Sequence, residues 1–467
     1  MPNLHRRVSI SVAAALSPLF AAAACAQPAP QPDRLTISQA VDAALRSYPA
    51  VQVSQEEMNA AAAGIELART AYLPRVDLLA QANRATRNNV FGLLLPQSVI
   101  PSMSGPVLGT NNLGTGWGSA VGTLVTWEPF DLGERRASVE AATAARARSE
   151  ATFRRTRYDV AVAAADAYVT LVAAQETVRA AQAGVDRAQV IDTTITALAK
   201  AGLRPGADAS RADAELAAAR TELTRAQQAV EIARANLARF TGQDAGPIVT
   251  AAPRLTELPP EQPVAPLDAA TNPLAQEQNA VVDEVRARLR VLERSYFPRF
   301  YLQGAAYARG TGAKTNGDLL VGLNGLAPNT QDYALGFTVT FPAMDIASVR
   351  AREAEQAANI RAETARYRQI ATDLKAQWNG AVAALQGARN VAANTPIQVK
   401  AARDATAQAK ARYQAGLGNV DEVAEAQRLL TQAEIDDALA RLGVWRALLG
   451  IAAAAGDIQP FLAEASQ

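Results

Sequence analysis

Apolar residues change their spacing several times along this chain. From Ser38 to Ala71 they fall on one helical face, with a break at Ser47-Tyr48-Pro49, since the residue before a proline avoids the helical region. Val76, Leu78, Ala80 and Ala82 then mark a period of two, the spacing of a strand with one covered face. After a loop a second alternating segment carries Trp117 and Trp127, and from Gly133 to about Lys200 the chain is rich in Ala, Arg, Glu and Gln with helical spacing. Ala207 to Phe240 continues in the same manner beyond a turn at Ala201-Gly202-Leu203. This predicts a helix, a β-hairpin and a long helical hairpin.

The same order then returns. A helix after Asn272-Pro273 runs to about Ser295, and Phe300, Leu302, Gly304 and Ala306 alternate. Tyr333, Leu335, Phe337, Val339 and Phe341 alternate against small or polar neighbours, and helical spacing holds from Ala347 to about Ala415 and from Asp421 to Ala455. Local markers agree. Tyr72-Leu73-Pro74-Arg75 recurs as Tyr296-Phe297-Pro298-Arg299, Val125-Thr126-Trp127 with Asp131 as Val339-Thr340-Phe341 with Asp345, and Ala201-Gly202-Leu203 as Ala415-Gly416-Leu417. The chain is a tandem duplication. Its expected parts are a signal peptide (1–26), a first repeat (27–240), a Pro-rich linker (241–266), a second repeat (267–456) and a C-terminal tail (457–467). Pro396 predicts a kink or a junction within the second long helix.

At ~1.5 Å per residue each long helix reaches about 100 Å, far beyond an average globular helix, so each must lean on neighbours. The strands impose a stronger condition. Four cannot close a barrel, and open edges in lipid leave costly unpaired N–H and C=O groups. Two chains would give a barrel that side chains fill, whereas three leave a passage, so a trimer is the smallest pore. Trp117 and Trp127 sit ten residues apart, about 33 Å along a strand at ~3.3 Å per residue. Tilted, that projects to roughly 23–25 Å, close to the ~25 Å apolar band between aromatic girdles. Tyr333 and Phe341 bracket the fourth strand in the same way. The alternative is a sandwich of ordinary strands with incidental aromatics. The segment Asn88 to Gly116 is apolar for a loop, and covering the pore mouth and touching lipid both remain open for it.

Composition narrows the chemistry. The 467 residues carry 46 Lys plus Arg against 45 Asp plus Glu, so no strong positive field draws the chain to nucleic acid. Hydrophobic residues make up 49% but aromatics only 5%, which suits Ala-lined helices that approach closely in a ring. Ala is also the best helix former, so a soluble coiled coil accounts for the helices equally well, and only the strands decide. One Cys cannot form an internal disulfide, and the only His, His5, falls within the N-terminal segment expected to be a secretory signal, so a Ser/His/Asp triad, a Cys/His dyad and a His-rich metal site are excluded from the mature protein. No enzyme and no cofactor is expected.

Residues 1–26 read as a secretory signal, with Arg6 and Arg7 before the apolar stretch Val8 to Ala24 and a small-residue cleavage site at Ala24-Cys25-Ala26. Ala22-Ala23-Ala24-Cys25 also resembles a lipoprotein box, which makes Cys25 a candidate lipidation site; the alternative is a Cys discarded with the signal. Past the signal no apolar run of ~18 residues stands out, so any crossing is expected to use strands.

In this order, duplicated behind a signal, the elements resemble the TolC-like outer membrane efflux protein family. The specific markers are Tyr72-Leu73-Pro74-Arg75, the segment Ala411 to Leu417, and Asp421 to Leu430. The resemblance covers nearly all of the mature chain. It implies an α+β membrane protein: a homotrimer whose 12-stranded transmembrane β-barrel, four strands per chain, continues into a periplasmic α-helical barrel of about 100 Å. It further implies the outer membrane of a Gram-negative bacterium, and a periplasmic adaptor and an inner-membrane pump as partners.

The resemblance also places a periplasmic gate just after the second Gly turn, on Glu422 and Glu425, which at i and i+3 share one helical face. Three chains would gather these carboxylates into one ring that traps cations. The alternative is that Asp421 and Glu422 simply favour a helix start. In the duplicated frame Asp208 stands opposite Glu422 and Arg211 opposite Glu425, which leaves the second hairpin as the inner lining and Arg211 either as a closed-state partner or as a solvated Arg. Tyr413 matches a family residue that ties hairpins together, with packing near the turn as the alternative. Gly202 and Gly416 are the expected turn residues, and Gly418 departs from the family, standing where a basic linking residue is known.

The function so implied is a passive exit duct of a tripartite efflux or type I secretion system. The competing reading is a soluble or peripheral periplasmic coiled-coil adaptor or scaffold. The cargo, whether drug, metal, solvent or polypeptide, is not legible, and neither is the identity of the pump and adaptor.

Overall fold

The computed structural model describes residues 34–86, 114–242, 248–312, 314, 318–342 and 344–466. The expectations for the signal peptide, for Cys25 and for most of the apolar loop concern residues outside that set. Thr36 opens the first helix, α1 (Ile37–Ser47), with a capping box closed by Gln39. Pro49 stands at the start of α2 (Pro49–Arg69), where its missing N–H costs nothing. Strands β1 (Arg75–Thr86) and β2 (Thr115–Phe130) follow, so the second strand begins one residue before the expected loop ends. Then come α3 (Glu134–Lys200), 67 residues long, and α4 (Gly206–Thr241), 36 residues long.

The second repeat gives α5 (Pro273–Arg294), β3 (Arg299–Thr311), β4 (Thr330–Thr340), α6 (Ile346–Gln414) of 69 residues and α7 (Val420–Ala455) of 36. The tail forms α8 (Gln459–Ala465). Pro396 creates no junction, because α6 runs through it as one helix. Phe341 lies just beyond the end of β4.

The four strands make one antiparallel sheet in the order β1-β2-β3-β4, which leaves β1 and β4 as edges. The register separates two chemistries. Leu78 pairs with Thr123, Thr123 with Ala306 and Ala306 with Tyr333, and the next row runs Val76, Val125, Gly304, Leu335. Trp127, Leu302 and Phe337 follow on the same face. This apolar surface is bare in the single chain: Leu78 is 81% exposed, Leu335 77% and Tyr333 89%. The opposite face is mixed but carries the polar residues Asp77, Gln81, Thr126, Gln303, Arg309, Asp332 and Thr338, beside Leu79, Leu124, Tyr301 and Tyr307. An exposed apolar face backed by a more polar one is the alternation that a membrane barrel wall requires.

The recurring Tyr-x-Pro-Arg segments join helix to strand. In the first, the Arg135 guanidinium lies 4.8 Å from the centre of the Tyr72 ring, and Trp127 Nε1 donates to the Tyr72 carbonyl at 3.1 Å. Asp131 Oδ2 accepts from the Arg135 backbone N–H at 2.6 Å, which fixes the start of α3.

The helices pair as two hairpins, α3 with α4 and α6 with α7, and α7 also lies along α3. At Gly184 the approach is tight, since an added Cβ would stand 3.0 Å from the Thr431 side chain. The shorter helices extend the returning arms. Asn272, which caps α5, donates to the Ala454 carbonyl at the end of α7 (3.0 Å), and the Tyr48 and Phe240 rings meet at 5.1 Å where α4 reaches the α1–α2 break.

A belt midway along the helices holds the largest core. Tyr168, Leu171, Ile37, Leu237, Leu255 and Trp445 are fully buried there. The Pro-rich segment between the repeats belongs to it: Trp445 Nε1 donates to the Glu257 carbonyl at 2.8 Å, and Tyr168 Oη donates to the carbonyls of Leu35 (2.8 Å) and Ala251 (3.0 Å). That segment contributes a 3-10 turn, Arg254–Thr256, and an isolated bridge between Leu35 and Thr250. One sequence expectation needs correction here. The α7 stretch is long and apolar enough by composition to cross a membrane, yet its Leu442, Val444, Trp445 and Leu449 are buried in the helical core.

Candidate functional site

The ends of the two hairpins farthest from the sheet meet at a tip. Each long helix stops at a left-handed glycine, Gly202 with φ +71° and Gly416 with φ +73°, a conformation that side-chain-bearing residues resist. Asn419 then caps α7 by accepting from the Glu422 backbone N–H at 2.9 Å. Ile195, Ala212, Tyr413, Val420 and Val423 close a small apolar core just behind the turns.

Tyr413 is 6% exposed and belongs to this core. Arg204, from the turn of the first repeat, covers it with the guanidinium 4.5 Å from the ring centre and donates to the Tyr413 carbonyl at 2.7 Å. Burial pushes the Tyr413 phenol above its ordinary value; Arg204 opposes that shift and Asp208 adds to it. Arg204 stands in the first repeat where Gly418 stands in the second. The basic residue missing at Gly418 is therefore present at the matching place of the other hairpin. An added Cβ at Gly418 would meet the Glu422 carboxylate at 3.0 Å and Arg412 Cβ at 3.4 Å.

Glu422 and Glu425 are exposed at the start of α7. Neither is alone: Arg412 Nε lies 3.5 Å from Glu422, and Arg428 pairs with Glu425 one turn on. Arg211 bonds to Asp421 at 3.1 Å and to Glu215 at 3.5 Å, while Arg428 also approaches Glu215 at 3.8 Å. A chain of charges thus ties α4 to α7 across the two repeats. Single exposed pairs of this kind contribute about 0–1 kcal/mol, so they set register more than stability. The partner of Arg211 is Asp421, not either expected gate carboxylate. Asp208 is half-buried and acts on the Tyr413 phenol from the first hairpin.

Sequence reasoning passed over Arg204, Arg412, Arg428 and Glu215. Arg428 was readable from its i+3 spacing to Glu425, and Arg204 from its match to Gly418; Arg412 and Glu215 needed the turns to be folded. Slightly farther from the tip, Asp192 on α3 faces Asp213 on α4. Burial raises the Asp192 carboxyl above its ordinary value and Asp213 raises it further, while Arg220 and Thr196 pull it down.

At the sheet end, Trp117 and Trp127 share the apolar face, with the Arg84 guanidinium 5.5 Å from the Trp117 ring and Trp127 37% exposed. Tyr333 and Phe341, at 89% and 57%, are more exposed still. Among the described residues no cluster of His, Cys, Asp and Glu suited to a metal ion occurs.

Comparison with known proteins meets this geometry. The family model described as outer membrane efflux protein matches residues 40–243 and 268–457. CyaE of Bordetella pertussis is 28% identical over 228 residues, which is 49% of this chain and 44% of that protein, so the match spans less than half of its length. Among solved structures, the CmeC outer membrane channel of Campylobacter jejuni superposes with a TM-score of 0.71 at 17% identity, covering 90% of this chain and 85% of that one. The open-state MtrE outer membrane channel of Neisseria gonorrhoeae gives 0.70 at 18% identity over 92% and 90%. A soluble scaffold fits neither the family nor the bare apolar sheet face. With a family match across both repeats and a shared fold, the chain belongs to the outer membrane efflux protein family and has the fold of these outer membrane channels.

Proposed function

We propose that three copies of this chain close one twelve-stranded barrel and one helical barrel, forming a passive exit duct gated at its periplasmic tip. The observation that carries this reading is the open-edged four-stranded sheet, apolar on one face and more polar on the other, fixed to helices of 67 and 69 residues. An edge strand in lipid must find a partner, and β4 of one copy meeting β1 of the next satisfies both edges with no new element. The more polar face then lines water. At ~1.5 Å per residue the helices extend the lumen by about 100 Å, enough to reach toward a periplasmic adaptor and an inner-membrane pump.

The tip is the natural constriction. Glu422 and Glu425 of three chains would face one another there, with Arg412 and Arg428 holding part of their charge, and Tyr413, Asp208 and Arg211 setting the spacing of the hairpins. Opening needs those half-exposed ion pairs to exchange, not the core to break. Export of small molecules and secretion of a polypeptide are both served by such a duct.

The test is electrical. In planar bilayers the purified channel is expected to show low, cation-selective conductance blocked by divalent ions, and Glu422→Gln with Glu425→Gln to relieve that block. Unchanged block would remove the gate assignment. A mass corresponding to one chain in detergent would remove the trimer.

A further inference from the structure

The two repeats differ where helix meets sheet. In the first, Arg135 fills the corner between α2 and α3 by stacking on Tyr72 and bonding to Asp131 at 3.5 Å. In the second, Val349 holds the place of Arg135 and turns inward, 5% exposed. The matching corner, between the end of α5 and the start of α6, holds an open groove of about 700 Å³.

Glu293, Arg294, Tyr296, Phe297, Arg350 and Glu353 line it. Tyr296 and Phe297 stack at 5.1 Å, and the Arg294 guanidinium lies 5.7 Å from the Phe297 ring. Among the described residues, Glu293, Arg294, Arg350 and Glu353 form no ion pair, so all four charges are available to a ligand.

Its height is fixed by sequence. Arg299 begins β3 and Phe300 is the first residue of its apolar face, so Tyr296 and Phe297 sit at the boundary between the lipid band and the periplasmic water. Aromatic and basic side chains are favoured at that level.

We propose that this groove binds the headgroup of a zwitterionic phospholipid bearing a primary ammonium. Arg294 and Arg350 receive the phosphate, Glu293 and Glu353 the ammonium, and the Tyr296–Phe297 pair the glycerol and first methylenes. Two cations beside two anions suit a headgroup carrying both charges and disfavour one carrying only phosphate. The proposal rests on the reading of the sheet as a lipid-embedded wall.

Native mass spectrometry of the full-length protein, offered phosphatidylethanolamine, phosphatidylcholine and phosphatidylglycerol in equal amounts, tests it. Preferential retention of phosphatidylethanolamine is expected, falling by about tenfold or more in the Arg294→Gln, Arg350→Gln variant. Glu293→Gln with Glu353→Gln should instead erase the preference over phosphatidylglycerol while phospholipid is still held. Equal retention of the three lipids by the parent overturns the proposal and leaves the barrel standing. So does unchanged retention in the arginine variant, the result expected if a neighbouring copy fills the groove. A parent that is monodisperse without amphiphile overturns the barrel reading and this proposal together.

Discussion

Arg204 and Tyr413 belong to different repeats, 209 positions apart, yet the guanidinium of one lies over the ring of the other at 4.5 Å and bonds to its carbonyl at 2.7 Å. The contact locks the turn of the first hairpin to the last turn of α6. A desolvated cation–aromatic contact is worth ~1–2 kcal/mol, and the charge-assisted bond adds to it. Arg204→Ala is therefore expected to loosen the tip and raise single-channel conductance in planar bilayers. Arg204→Lys keeps the charge but loses the flat stacking surface, and should fall between the two. Conductance equal to the parent in both variants would dismiss the lock.

The turn glycines give a prediction of a different kind. Nothing stands within 4 Å of an added Cβ at Gly202 or Gly416, so alanine there meets no steric obstacle. Its cost is the left-handed backbone alone, about 1–2 kcal/mol per site. Thermal unfolding followed by helical circular dichroism should show each variant losing that amount. A loss several times larger would mean that the tip is crowded in the assembled state by a neighbouring copy.

Asp192 links stability to pH. Its folded-state pKa lies above the ordinary 3.8, first because of burial and then because of Asp213, with Arg220 as the opposing charge. Between 3.8 and the raised value the folded protein holds a proton that the unfolded chain has released, so stability from this group falls as pH rises through that window and is flat above it. Asp192→Asn removes the like-charge contact. It should raise stability at neutral pH and flatten the dependence in mildly acidic buffer, as read from denaturant midpoints across a pH series.

The two faces of the sheet should respond oppositely to one substitution. Leu335 and Ala334 are neighbours on β4, and their partners on β3, Gly304 and Ala305, occupy different faces. Leu335→Arg places a cation in the apolar band at a cost of ~2–4 kcal/mol and should reduce recovery of folded protein in the outer membrane fraction. Ala334→Arg faces the proposed lumen; recovery should hold while conductance and ion selectivity change. Equal loss in both would contradict the assigned sidedness.

Much of this was legible in residue spacing. Pro49 and Pro273 open helices and the Tyr-x-Pro-Arg segments end them, and the period of two at Val76 to Ala82 and Tyr333 to Phe341 does not suit a helix, so element order followed from local physics, although Pro396 is carried inside α6. The duplication was readable because both copies use the same breaks. The Gly turns were equally legible, since few other residues tolerate their backbone.

What the chain by itself could not reveal is which charge meets which. The sequence left Arg211 either as a closed-state partner or as a solvated Arg, and only the folded tip shows it bonded to Asp421 and Glu215. Arg204 and Arg412 act across turns, and a contact between residues far apart in sequence depends on how two long helices are set against each other. Likewise the apolarity of α7 read alone is compatible with lipid, and only the packing of Trp445 against the inter-repeat segment makes it core. Spacing along a chain determines the faces of each element, whereas the offset between elements is decided by side-chain packing summed over the whole fold.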